Sequence, residues 1–240
     1  MQLQSTDDIK RLGTILGVWA HPDDETYAMA GILIAAIKNG QKVVCITATR
    51  GEAGVQDESR WPASQLASIR TVEQNNAFKI LGITRCHMLD YPDGNCAGVD
   101  SAVAVQDIAK IIYNHQPDSI FTFGPDGLTG HDDHKTVSSW TTLAVKKVAS
   151  KAAIYHAVQT DEQYRHMQEP DKHLNIFFNI DKPPTYDGCV CDICYVLEPK
   201  VYEQKLSALR AMPSQTEAML TKFTHILPEV LGVEAFRRYK

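Results

Sequence analysis

Residues 14–40 read TILGVWAHPDDETYAMAGILIAAIKNG and predict a buried strand followed by a helix. The apolar run at 14–20 is typical of a strand that is covered on both faces. Helical spacing of apolar residues begins near 26 and ends at the common helix stop Asn-Gly at 39–40. Three acidic residues in a row, 23–25, stand at the corner between strand and helix. Because like charges repel, this corner indicates a cation nearby or a helix that the acidic groups cap.

The same alternation of strand and helix continues to residue 159. Further strands are predicted at 42–49, 84–91, 119–125 and 152–159, and further helices at 63–80, 101–115 and 132–149. Repeated βα units form a mostly parallel sheet with helices on both faces. The sequence therefore predicts an α/β, Rossmann-like fold.

The last third of the chain is less regular. Residues 160–190 contain three prolines and are expected to form loops around a strand at 174–180. A strand at 190–197 and a helix that begins near Pro199 are predicted to follow. We find no linker, so we expect a single domain over residues 1–240 with an elaborated C-terminal third.

Composition limits the classes of function. A formal net charge of −5 gives no support for binding nucleic acid or an anionic membrane. The sequence has no apolar run of about 18 residues and no apolar core of a secretory signal, so we expect a cytoplasmic protein without membrane insertion. Cys189, Cys191 and Cys194 form C-x-C-x-x-C. These thiols either pack in a strand or bind a metal, although a structural zinc site needs a fourth ligand.

Polar clusters follow each of the first four predicted strands. They are HPDDE (21–25), TRGEAG (49–54), YPDG (91–94) and GPDGLTGHDDH (124–134). In open α/β sheets, ligands bind at the carboxyl ends of the strands. Parallel strands would bring these four loops to one rim, so we predict a binding site there.

Two of these clusters combine histidine with aspartate, a good donor set for zinc. His21 and Asp24 are three residues apart at a corner, and His131 and His134 lie three apart on one helix face. Two ligands from the first loop and one from the second would leave a position for water, as in catalytic zinc sites. Capping of the helix N-termini is the alternative explanation for the acidic residues.

The whole set of motifs resembles the LmbE-like or PIG-L zinc deacetylases. The resemblance rests on AHPDDE, TRGEAG, Arg70 with Glu73, YPDG, GHDDHK and, near the C-terminus, Lys205, Ala208-Leu209 and Ser214-Gln215. It implies that His21, Asp24 and His134 bind Zn²⁺, although iron or manganese would also suit these ligands. It implies that Asp23 is the general base and that His131 stabilises the oxyanion or protonates the leaving amine.

The resemblance also implies hydrolysis of the N-acetyl amide of an N-acetylglucosamine-type substrate, with release of acetate and a free amine. We expect Arg70, Glu52, Tyr91 and Asp93 on the rim to contact this amino sugar. Members of the family often form dimers or rings, so a homo-oligomer is possible. One departure is that Ala-Met-Pro at 211–213 precedes Ser214-Gln215, where the family often has a histidine.

Three other functions are compatible with parts of the sequence. A zinc amidase could act on a different N-acyl conjugate. A metal-dependent phosphodiesterase is suggested by the HD and DHH letters at 131–134, but HD domains are helical and this chain is mixed α/β. A non-catalytic relative is the third alternative, and the complete set of five site residues argues against it.

Overall fold

The structure is a computed structural model that describes Leu3, residues 5–177 and residues 179–239. The strands are β1 (Ile15–Trp19), β2 (Val43–Thr49), β3 (Cys86–Tyr91), β4 (Ser119–Phe123), β5 (Ala153–Ala157), β6 (Gln159–Thr160), β7 (Thr185–Tyr186), β8 (Ile193–Val196) and β9 (Val233–Arg238). The α-helices are α1 (Asp24–Lys38), α2 (Ala63–Leu81), α3 (Ser101–His115), α4 (Asp132–Lys147), α5 (Asp161–Leu174), α6 (Pro199–Arg210), α7 (Pro213–Lys222) and α8 (Leu227–Leu231). Within these residues, no helix combines the length and apolar character that crossing a membrane requires.

The main sheet has seven strands in the order β3-β2-β1-β4-β5-β9-β8. The first five are mutually parallel, and β9 pairs antiparallel with both β5 and β8. Every residue of β1, β2 and β4 is buried, as expected for strands with helices on both faces. The predicted α/β fold with a mostly parallel sheet is confirmed.

The strand order places the candidate site. The chain moves from β1 outward to β3 and then crosses to β4 on the other side of β1. Right-handed crossovers therefore put α1 and α2 on one face and α3 and α4 on the other. Accordingly, α1 and α2 both pack against α6, and α3 packs against α4. The loops after β1 and β4 meet at this switch point, where such sheets bind ligands.

The prediction for residues 160–190 is partly wrong. A helix, α5, begins directly after Thr160, which forms a reciprocal capping box with Gln163. It continues through Pro170 and ends at Leu174, because Asn175 adopts a left-handed conformation at φ 50°. The strand predicted at 174–180 is absent from 174–177 and 179–180, and its remaining residue, Phe178, lies outside the described residues.

The elaborated C-terminal third is tied to α1 by a buried ion pair. Met29 interrupts α1 with a non-helical φ of −147°. The Glu234 carboxylate accepts the N–H groups of Gly31 (2.7 Å) and Ile32 (2.9 Å), which follow this break. Lys205 Nζ donates to the Tyr27 carbonyl (2.8 Å) and pairs with Glu234 (2.9 Å). Both charged side chains are fully buried, so the pair fixes the direction of the first turn of α1.

Candidate metal centre

The corner between β1 and α1 has a strained backbone. Asp23 lies there with φ 118°, a conformation that side chains with a Cβ rarely adopt. Its carbonyl accepts the backbone N–H groups of Thr26 and Tyr27, and these bonds form the first turn of α1. The backbone N–H of His21 donates to Asp24 Oδ2 (2.7 Å), and this bond closes a tight turn between the two residues. Strain of this kind is concentrated at functional sites.

Donor atoms of three residues converge between β1 and α4. His21 Nδ1 lies 3.1 Å from His134 Nε2. Asp24 Oδ2 lies 3.6 Å from His21 Nδ1, and Asp24 Oδ1 lies 3.4 Å from His134 Nε2. A tetrahedral site with metal–ligand distances near 2.1 Å has ligand atoms about 3.4 Å apart. His134 Nδ1 donates to the Gly127 carbonyl (2.9 Å), which leaves Nε2 without a proton. These three residues therefore fit a divalent metal.

The opposite nitrogen of His21 is held by two carboxylates. His21 Nε2 lies 2.9 Å from Asp93 Oδ1 and 3.3 Å from Asp133 Oδ2. Burial by itself lowers the pKa of His21, but the hydrogen bonds to Asp133 and Asp93 raise it to about 10. The carboxylates around His21 therefore favour a positive charge on its ring. The same negative surroundings favour the binding of a cation at this site. Carboxylates that accept from a ligating histidine fix its orientation and increase its basicity.

The donors can also be grouped in two other ways. His21 with His131 and His134, and His21 with Asp93 and Asp133, each place one donor atom per residue within 4.8 Å of the others. Neither group offers as many available donors. His131 Nδ1 accepts from the Asp133 N–H (3.1 Å), and Asp133 accepts from the N–H groups of residues 94 and 96. His21, Asp24 and His134 remain the predicted ligand set.

Asp23 has the properties of a general base. Burial raises the pKa of its carboxyl, the nearby Arg70 guanidinium lowers it, and the result is a pKa of about 7. Arg70 Nη2 lies 3.3 Å from Asp23 Oδ2. A base with a pKa near the working pH transfers protons most effectively.

His131 is arranged as a hydrogen-bond donor. It precedes α4, and the bond that its Nδ1 accepts from the Asp133 N–H places the proton on Nε2. Burial and the neighbouring His21 lower the pKa of His131, so the neutral form is favoured. The imidazole rings of His131 and His134 stack at 4.9 Å. His131 can therefore donate from Nε2 without being charged.

Three of the four residues that we expect to contact the sugar make hydrogen bonds within the rim. Arg70 is buried and donates to the carbonyls of Pro22 (2.6 Å) and Gly51 (2.8 Å). Glu52 Oε1 accepts the Asp93 N–H (3.0 Å), and its other oxygen is buried without a hydrogen-bond partner. Asp93 also accepts the N–H of residue 53, in addition to its contact with His21. These contacts indicate positioning of the loops and of His21, although Arg70 and Asp93 also line a cavity.

Tyr91 is not brought to the site. Its hydroxyl donates to Asp107 on α3 (2.7 Å), and its ring packs edge-on against Trp140 of α4 at 5.3 Å. The side chain therefore belongs to the contact between the sheet edge and these two helices. Asp132 also lies away from the site, on the surface beside Lys135. Its neighbour Asp133 instead contacts His21 Nε2.

Two cavities meet at Asp23. The smaller, about 240 Å³, is polar and includes His21, Arg70, Asp93 and His131. The larger, about 600 Å³, includes Asp24 and His134 and extends under α5 and α7. Gln215 borders both cavities, and its amide donates to the Gly54 carbonyl (2.9 Å). The sequence marked Gln215 only as part of a C-terminal motif and gave no sign of this position.

The remaining motif residues have structural partners. Ser214 donates from its N–H (3.0 Å) and its hydroxyl (2.5 Å) to the buried Glu73, which anchors the start of α7 to α2. Cys191 is buried, whereas Cys189 is exposed and Cys194 is intermediate. Among the described residues, no group of donors that could hold a metal includes these thiols.

Comparison with known proteins places these features in a family. A family model described as PIG-L, GlcNAc-PI de-N-acetylase, matches residues 16–145, just over half of the chain. A 1D-myo-inositol 2-acetamido-2-deoxy-alpha-D-glucopyranoside deacetylase of Rhodococcus jostii is 29% identical over 201 residues, 75% of this chain and 65% of the relative. A probable N-acetyl-alpha-D-glucosaminyl L-malate deacetylase 2 of Bacillus cereus is 29% identical over 210 residues, 86% of this chain and 85% of the relative.

The first four relatives are longer than the matched region, which spans between 50% and 65% of their length. Among solved structures, an N,N'-diacetylchitobiose deacetylase from Pyrococcus horikoshii is similar with a TM-score of 0.64 and 23% identity, over 96% of this chain and 85% of the other. A 4-carboxy-2-hydroxymuconate hydratase from Pseudomonas putida has a TM-score of 0.65 and 14% identity, over 95% of this chain and 96% of the other. The fold alone therefore does not determine the reaction.

Proposed function

Since the chain belongs to the PIG-L family, we propose that it hydrolyses the N-acetyl amide of an amino-sugar conjugate and releases acetate and a free amine. One observation carries the proposal. A carboxylate with a pKa of about 7, Asp23, adjoins a donor set of two histidines and one aspartate at a ligand-binding edge of the sheet. The names of the similar deacetylases agree with this chemistry.

His21, Asp24 and His134 would hold the metal, and we propose zinc. Two imidazoles and a carboxylate suit zinc, and iron or manganese would also bind to them. A divalent metal supplies Lewis acidity, which makes water a stronger acid and an amide carbonyl a better electrophile.

Asp23 would move the proton. Its carboxylate would accept a proton from the attacking water and return it to the amide nitrogen as the carbon–nitrogen bond breaks. Arg70 would keep the carboxylate in place, because its guanidinium is fixed by the carbonyls of Pro22 and Gly51. The base is thus held between the two rim loops.

His131 would stabilise the negative charge on the carbonyl oxygen. Its Nδ1 accepts the Asp133 N–H, so the proton of the neutral ring is on Nε2. One donor directed at a developing oxyanion contributes about 3–4 kcal/mol to the transition state. The polar cavity beside His131 offers surroundings that suit sugar hydroxyl groups.

The test combines metal content with acetate release. Purified protein would be analysed for metal per chain and assayed on a panel of N-acetylglucosamine conjugates, with and without chelator. We expect Asp23→Asn to retain metal and lose about 10²–10⁴-fold in turnover, since it removes the base alone. His134→Ala should lose both metal and turnover. Asp132→Asn is the matched control, because this exposed side chain pairs with Lys135 at the surface.

Two results would refute the assignment. Asp23→Asn with metal content as low as His134→Ala would make Asp23 a ligand and not a base. Metal-loaded wild-type protein that cleaves no N-acyl amino sugar would refute the proposed reaction.

A further inference from the structure

The imidazole of His134 stacks against a ring from the hydrophobic core. The phenyl ring of Phe123 lies parallel to it, with the ring centroids 3.9 Å apart and the two planes inclined by 8°. The His131 ring also stacks with His134, at 4.9 Å and 21°. One of the three predicted metal ligands is therefore in face-to-face contact with a buried side chain of β4.

Phe123 is itself held by its neighbours. It is the last residue of β4, and its carbonyl accepts the hydroxyl of Ser138 (2.7 Å), which lies one turn after His134 on α4. The Trp19 ring meets the phenyl ring edge-on, at 5.0 Å and 88°. A Cβ at residue 17 would lie 2.6 Å from Trp19 Nε1, so Gly17 leaves the space that the indole occupies. Because both rings are buried in a close-packed core, the phenyl ring has little room to move.

The stacked ring supplies a constraint that the hydrogen bond of His134 does not. His134 Nδ1 donates to the Gly127 carbonyl (2.9 Å), which directs Nε2 towards the other predicted ligands. A hydrogen bond tolerates departures of about 30° from linearity, so it leaves the imidazole free to tilt. A flat ring at 3.9 Å opposes a tilt in either direction, because one edge of the imidazole would move into the phenyl ring.

We propose that Phe123 is a positioning residue for the metal ligand His134, whose imidazole plane it sets and whose stacked face it shields from water. This role rests on the proposed ligand set of His21, Asp24 and His134. Phe123 and His134 both border the larger cavity, so loss of the phenyl ring would extend this cavity towards the imidazole. Apolar groups around a metal site control the access of water, and residues that orient a ligand typically change metal affinity by about 10–100-fold.

The same strand provides a matched control. Phe121, two residues before Phe123, is also buried, but its ring stacks on Tyr155 at 5.1 Å and meets Phe236 edge-on at 4.9 Å. Phe121 therefore packs against β5 and β9. Replacing either phenylalanine by leucine removes the same atoms from one core, so both variants should lose stability. The Phe123 variant alone removes a ring that stacks on a predicted ligand.

Zinc affinity distinguishes positioning from general packing. Zinc dissociation constants would be measured by chelator competition on the folded proteins. We expect Phe123→Leu to weaken zinc binding about tenfold or more, and Phe121→Leu to leave it unchanged. Phe123→Met fills much of the same volume with a flexible chain that has no flat face, so it should show the same loss. It replaces the leucine variant if that protein does not fold.

Cobalt substitution reports the geometry directly. The visible absorption of bound Co²⁺ depends on the number and arrangement of its ligands, and this readout needs no substrate. We expect an altered spectrum for Phe123→Leu and the wild-type spectrum for Phe121→Leu. Weaker binding with a wild-type spectrum would show that the ligand arrangement is unchanged, and it would overturn the positioning role.

The remaining outcomes separate this role from the proposed reaction. Equal zinc affinities of Phe123→Leu and Phe121→Leu would overturn the positioning role. A wild-type protein that binds no zinc would refute the ligand set, and the role of Phe123 with it. A tenfold loss in Phe123→Leu, together with a wild type that releases no acetate, would support the positioning role and refute only the proposed reaction.

Discussion

Replacing Lys205 by methionine tests how strongly the buried ion pair supports the fold. The variant removes the cation from a fully buried Glu234 carboxylate and the hydrogen bond to the Tyr27 carbonyl. Removing one partner of a buried pair leaves an uncompensated charge, which typically costs about 3–5 kcal/mol. Glu234 retains the N–H groups of Gly31 and Ile32, so we expect the lower part of this range.

The assay is equilibrium urea unfolding at pH 7, followed by circular dichroism and tryptophan fluorescence at a fixed metal concentration. In a thermal melt of a chain of this size, each kcal/mol of lost stability would lower Tm by about 2–4 °C. Lys200→Met, at an exposed position on the same helix, is the matched control and should change stability by less than about 0.5 kcal/mol. Adding Glu234→Gln to Lys205→Met should restore part of the loss, because it removes the unpaired charge. A loss below about 1 kcal/mol, or a double variant no more stable than the single one, would refute the reasoning.

Three further predictions concern the site and the sheet. Asp133→Asn should weaken zinc binding about 10–100-fold in a chelator competition, because the Asp133 carboxylate contacts His21 Nε2 and orients the ring. Asp132→Asn should leave the affinity unchanged, and equal affinities of the two variants would refute this role of Asp133. Arg70→Lys should lower kcat more than it raises KM, because a lysine has no planar fork for the carbonyls of Pro22 and Gly51; a change in KM alone would indicate sugar binding instead. Burial lowers the pKa of His156, so this residue contributes stability that is present above its unfolded pKa of about 6.5 and is lost as pH falls through it. His156→Leu should therefore show a smaller loss of unfolding free energy between pH 7.5 and pH 5.5 than the wild type, and equal losses would contradict this.

Much of the fold follows from sequence periodicity, because β1 to β5 and α1 to α4 have strong local signals. Asn39-Gly40 and Leu81-Gly82 end their helices as expected, and Gly82 has φ 83°. The C-terminal third was harder to predict. Pro170 suggested a loop, but the capping box at Thr160 and packing against α8 maintain α5. No local feature of the sequence indicates that β9 pairs with both β5 and β8, since that pairing depends on the assembled sheet.

The site was predictable where spacing determines geometry. His21, Asp24 and His134 come together because β1 and β4 are neighbours. The alternation of strands and helices predicted only that the loops after parallel strands share one rim, and it did not predict which strands are adjacent. The roles of the polar residues around them depend on contacts between distant loops. Asp93 approaches the far side of His21, and Tyr91, two residues earlier, is held by α3. No property of YPDG itself distinguishes these two outcomes.

The strained corner at Asp23 depends on both halves of the chain. A positive φ at a residue with a Cβ costs about 1–3 kcal/mol and persists only when surrounding contacts fix it. Arg70 holds the Pro22 carbonyl and the Asp23 carboxylate from within the family region. The Lys205–Glu234 pair, from outside that region, holds the next turns of α1. Glu234 also lines the larger cavity, so changes in this part of the cavity wall would also act on the backbone at Asp23.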